Sequence, residues 1–129
     1  MPAATFPEYA RELTETLEQV VATGDATRLT LQVDQRSAIR GFIAGSLEFS
    51  TGSTLHIREF VDVSQAEPKI MYAYYYQDAD QRLIFRYDNA AHRPTLSHPA
   101  HKHIESGLEV SPVPTLSEVL DDILRQTHP

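Results

Sequence analysis

Apolar side chains fall first at helical and then at strand intervals along this chain. Phe6, Ala10, Leu13, Leu17 and Val20 recur every three or four residues up to Gly24, a spacing that gathers them on one stripe of a helix. Thr5 and Glu8 have the spacing of a capping box, and Pro7 falls in the first turn, where its missing N–H is tolerated. From Thr27 the period drops to two, and Leu29, Leu31 and Val33 alternate with polar residues as in a strand. A second strand is predicted from Ile39 to Ser50, with Gly41 and Gly45 as candidate bulge positions. Thr51-Gly52-Ser53 turns the chain, and Leu55, Ile57, Glu59 and Val61 alternate down the returning strand. Lys69 to Gln77, rich in tyrosine, predicts a fourth strand; Asp78-Ala79-Asp80 turns into a fifth over Gln81 to Asp88. Five consecutive strands joined by short loops make an antiparallel meander.

After Asp88 the regular pattern fades. Pro94, Pro99, Pro112 and Pro114 interrupt it, leaving room for a short extra strand around Leu108 and Val110. Thr115 and Glu118 repeat the capping-box spacing ahead of Leu116, Val119, Leu120, Ile123 and Leu124, the apolar stripe of a closing helix. The expected fold is one α+β domain over residues 1–129: a five- to six-stranded antiparallel meander with the N-terminal and C-terminal helices on one face. The other face is then left for solvent, a ligand or a second subunit, which makes a homodimer one expectation.

Composition narrows the function classes. The 129 residues are 41% hydrophobic and 22% charged, the balance of a globular protein rather than a disordered one. No apolar run reaches the roughly 20 residues of a membrane span, and no charged-then-apolar leader opens the chain, so a cytoplasmic location is expected. With no cysteine, disulfides and thiolate metal sites are excluded. The net charge of −7 argues against broad, nonspecific nucleic-acid binding and leaves a local site open.

Such a site stands out between Arg82 and His103. Arg82, Arg86, Arg93 and Lys102 face a single acid, Asp88, and His92, His98, His101 and His103 are four of the six histidines. The segment is thus about +3 on an acidic protein, the setting for an anionic ligand or a metal. Strand parity sends Leu83, Phe85 and Tyr87 to one face and Arg86 and Asp88 to the other. His98, His101 and His103 with Asp88 have the donor types of a zinc, nickel or iron site. A loop without a helical i, i+4 pair does not pre-organise them, and neither metal nor cofactor is expected. The same residues suit acid–base chemistry on phosphate. His92, His101 and His103 are candidate acid and base, Arg86 is the candidate phosphate clamp, and Asp88 is the group that orients an imidazole. Arg93 and Lys102 are candidate substrate contacts.

Three further residues complete the candidate list. Tyr74 and Tyr76 share a face; cross-strand packing is the ordinary role for such a ladder, and base stacking the functional alternative. Glu59 shares parity with an apolar row and is expected as a partly exposed acid at a sheet edge, with ligand contact as its alternative.

Several of these stretches together resemble a known family. Tyr72-Ala73-Tyr74-Tyr75-Tyr76, then Asp78 through Phe85-Arg86-Tyr87-Asp88-Asn89 to His92, then His98-Pro99-Ala100-His101-Lys102-His103, are similar to the TumE proteins, as is the hairpin from Phe49 to Glu59. That family is assigned to the toxins of type II toxin–antitoxin pairs. The resemblance covers most of the chain from residue 40 onward. It implies a cytoplasmic toxin, neutralised by a helix-turn-helix antitoxin, with metal-independent RNA cleavage as the natural mechanism to test. The competing function is a noncatalytic binding module whose basic, histidine-rich segment contacts a partner protein or an anionic ligand.

Overall fold

The computed structural model describes residues 3–89, 100–104 and 107–127. Helix α1 (Phe6–Ala22) leads into strands β1 (Ala26–Gln35), β2 (Arg40–Phe49), β3 (Thr54–Asp62), β4 (Lys69–Gln77) and β5 (Leu83–Asp88). Strands β6 (His101–Ile104) and β7 (Gly107–Val110) follow, then helix α2 (Leu116–Thr127). All seven strands form one sheet in chain order, every neighbouring pair antiparallel.

Both helices start where the chain supplies a cap. Thr5 Oγ1 accepts the Glu8 amide at 3.3 Å, while the Glu8 carboxylate accepts from Ala4 N. At α2 the exchange is reciprocal: Glu118 N donates to Thr115 Oγ1 at 3.1 Å and Thr115 N to Glu118 Oε1 at 2.9 Å. The hairpins close by local means as well. Gly52 takes a positive φ in the β2–β3 turn, and Asp78 Oδ1 accepts from the amides of Asp80 and Arg82 in the β4–β5 turn.

The core lies between the helices and one sheet face. Phe6, Leu13 and Leu17 from α1 and Val119, Leu120 and Ile123 from α2 bury against Ile43, Leu47, Leu55, Ile57, Tyr74 and Phe85, the residues that strand parity assigns to that side. The α+β architecture with two helices on one face is as the pattern predicts. The strand count is not: the segment expected to lose regular structure contains β6, which pairs with β5 through Phe85↔Ile104, Arg86↔His103, Tyr87↔Lys102 and Asp88↔His101. His101–Ile104 carries no apolar alternation, so only its hydrogen-bonded neighbours reveal it as a strand.

Candidate functional site

The face turned away from the helices collects the side chains of interest in three ranks. Residues that pair across antiparallel strands share a face, so Phe42, Phe60 and Met71 form one rank. Ala44, Arg58, Ala73 and Asp88 form the next, and Ser46, His56, Tyr75, Arg86 and His103 the third. Successive ranks stand two residues, about 6.6 Å, apart along each strand.

Asp88 is the centre of this face. Its side chain is only 2% exposed, although it does not point into the core. Arg86 Nε lies 2.9 Å and His103 Nε2 3.1 Å from the same oxygen, Oδ2. At neither contact is the N–H well aligned on the oxygen, and His103 carries charge there only when it is protonated. Arg86 stays 42% exposed and His103 26%, so a buried carboxylate holds two basic groups that still reach the surface. Tyr75 and His56 meet edge to face at 5.9 Å in the same rank. Next to Asp88 the surface dips into a groove of about 490 Å³, with Phe42, Phe60 and Met71 on one side and Arg58 and Arg86 on the other.

Of the residues singled out in the sequence, Arg86, Asp88 and His103 converge. The His101 backbone pairs opposite Asp88, but its side chain lies outside the described residues, as do His92, Arg93 and His98. Among the described residues no three potential metal ligands gather.

Three of the candidate substrate contacts lie elsewhere, and a fourth is held by a helix. Lys102 is the middle residue of His101-Lys102-His103, so strand alternation turns it to the helix face. There its Nζ pairs with Asp122 Oδ2 at 3.0 Å and lies 4.9 Å from the Tyr87 ring centroid. Tyr74 and Tyr76 are 0% and 2% exposed in the core and offer no ring face to a base. Tyr76 donates to Ser53 Oγ at 2.8 Å and packs on Phe49 and Phe85, the ordinary role of such a ladder.

Glu59 is not the partly exposed edge acid that was expected. It is fully buried on the helix side, accepting the hydroxyl of Tyr74 at 2.6 Å and that of Tyr9 from α1. Burial, reinforced by the Glu59 charge, pushes both phenols well above their ordinary range, so each stays a donor. Lys69 Nζ sits 4.8 Å from the Tyr74 centroid and donates to Pro114 O at 2.5 Å. Burial depresses its ammonium, against the pull of Glu59, Glu67 and Glu118. The neighbouring Tyr72 hydroxyl is pushed up to about 12, by burial first and then by the charges of Asp88 and Glu67.

His56 and Arg58 were not singled out in the sequence as members of this face. The signal was present: His56, Arg58 and Phe60 alternate with Leu55, Ile57, Glu59 and Val61, so parity alone puts them opposite the core.

A family model described as Toxin TumE matches residues 17–128. The chain belongs to the TumE toxin family. The match spans every strand, so the Asp88 cluster and the groove beside it both lie within the TumE region. The likeness seen from Tyr72 to His103 is thereby borne out. Comparisons with curated proteins and with solved structures gave no significant match. No helix among the described residues is long and apolar enough to cross a membrane.

Proposed function

We propose that this TumE protein is the toxin of a type II toxin–antitoxin pair and inhibits growth by cleaving RNA without a metal. The observation that supports this most is the approach of Arg86 Nε and His103 Nε2 to the buried Asp88 carboxylate, on a sheet face that no described helix covers. With Nε2 turned to the carboxylate, a neutral His103 keeps its proton there and its lone pair on Nδ1. Nδ1 then takes the proton of a ribose 2′-hydroxyl as that oxygen attacks the adjacent phosphorus. The 5′-oxygen leaves with a proton from a second imidazole, His101 or His92, giving a cyclic phosphate and a free 5′-hydroxyl. The guanidinium of Arg86 bears on the phosphoryl oxygens, where negative charge accumulates. The protein acts as one domain in the cytoplasm, and a helix-turn-helix antitoxin silences it by direct contact.

The test is to induce wild type, His103→Gln and Arg86→Lys in bacteria and to assay the purified proteins on single-stranded RNA. Each substitution keeps polarity at its position, and thermal melts verify that the fold survives. Loss of acid–base or clamping chemistry is expected to slow cleavage about 10²- to 10⁴-fold and relieve growth inhibition, with antitoxin affinity unchanged. Folded variants that stay fully toxic would overturn the catalytic role. If they instead lose antitoxin binding, the face is a noncatalytic binding surface.

A further inference from the structure

Resting on the RNA-cleaving role proposed above, we infer that the groove formed by Phe42, Phe60, Met71 and Arg58 is a subsite for one unpaired nucleobase, next to the phosphate held at Arg86. The first observation is the shape of the sheet face. Ala73 lies between Arg58 and Asp88 in its rank; with only a methyl group there, the surface sinks between larger neighbours. The second is the chemistry of the walls. Phe42 and Phe60 are half-buried on one side, and Met71 next to them is 64% exposed, so apolar surface is left in water at a concave site.

The third observation is charge. The Arg58 guanidinium stands 5.7 Å from the Phe42 ring centroid and contacts no acidic side chain among the described residues. Arg86, by contrast, is held by Asp88. Arg58 is therefore a cation with a flat face, supported by an aromatic ring and available to stack on a planar ligand. Ala73 and Asp88 are cross-strand partners, and neighbouring strands lie about 4.8 Å apart. A ligand in the groove thus adjoins the Arg86–Asp88–His103 cluster. A nucleotide of single-stranded RNA joins these requirements in one body: a base to stack on Phe60 and under Arg58, and a phosphate for Arg86. Recognition by stacking tolerates any base, so the subsite sets which nucleotide is unstacked for cleavage rather than a strict sequence.

Binding of a fluorescein-labelled, single-stranded octaribonucleotide tests this. Its 2′-hydroxyls are methylated to prevent cleavage, and it is made abasic at one position at a time. Anisotropy titrations with the full-length protein should show one position at which removing the base weakens binding about 5- to 100-fold. Phe60→Leu keeps apolar volume and Arg58→Gln keeps a polar side chain, and both positions are at least partly exposed, so the variants should fold. In each, the penalty for that abasic position should shrink to less than half its wild-type value on a logarithmic scale. An abasic series that binds as tightly as the intact strand removes the subsite. It leaves the RNA-cleaving role standing if wild type cleaves RNA and His103→Gln does not. No binding and no cleavage by wild type removes both. Variants that keep the full abasic penalty, or lose affinity for the antitoxin instead, likewise overturn the nucleobase assignment.

Discussion

Glu59 shows how one residue can be placed correctly by its neighbours and still be misjudged. Alternation with Leu55, Ile57 and Val61 puts it on the apolar side of β3, but alternation carries no information about which donors wait there. The donors are Tyr9, 50 positions earlier, and Tyr74, 15 positions later. The Glu59→Ala change removes the shared acceptor and leaves a cavity with two unsatisfied hydroxyls. A loss of about 3–5 kcal/mol in urea unfolding is expected. Glu59→Gln retains one carbonyl acceptor and should cost about half as much. Because Glu59 lies across the sheet from Arg86, neither change should alter the RNA cleavage proposed for that cluster, per folded molecule at saturating substrate. Specific loss of turnover in a well-folded Glu59→Gln protein would mean that the two faces communicate.

At the scale of elements, the sheet was legible wherever one side of a strand is apolar, and the helices wherever caps and stripe coincide. β6 was not, because two histidines, a lysine and a single isoleucine have no period to detect. The same blind spot misplaced Lys102. Taken as loop, the triplet offers three neighbouring cations; paired with β5, it sends Lys102 and His103 to opposite faces. Nor could alternation tell that Gly41 serves packing rather than a bulge. The β2–β3 register runs evenly through it, and a Cβ there would fall 2.2 Å from the Phe6 ring, so α1 docks by laying its first aromatic on bare backbone. Gly41→Ala must displace Phe6, which is fully buried, and is expected to destabilise by about 1–3 kcal/mol. Thermal unfolding checks this; an unchanged midpoint would mean that the start of α1 shifts without cost.

At the scale of the molecule, α2 is tied to the later strands through one carboxylate. Asp122 takes Lys102 Nζ at 3.0 Å, the Tyr87 hydroxyl at 3.1 Å and Arg125 at 3.5 Å. Burial works to raise its carboxyl, but the hydrogen bond and charge of Lys102 and the Tyr87 hydroxyl outweigh it, and the net shift is downward. The unfolded chain therefore takes up this proton at higher pH than the folded one. The stabilisation is present in full above the ordinary aspartate value of about 3.9 and fades as pH falls through the lower folded value. Asp122→Asn should melt below wild type at pH 7, and the two should converge as the pH is taken below about 4. A gap that persists at pH 2 would mean that packing, not charge, holds α2 in place.

The order of the strands has a consequence for how the chain reaches this state. Each ladder joins segments that are consecutive in the chain, so the sheet can grow by successive zippering, every new strand finding its template already beside it. No distant ends need to meet before the first stabilising contacts form, and the entropic toll of loop closure stays small at each step.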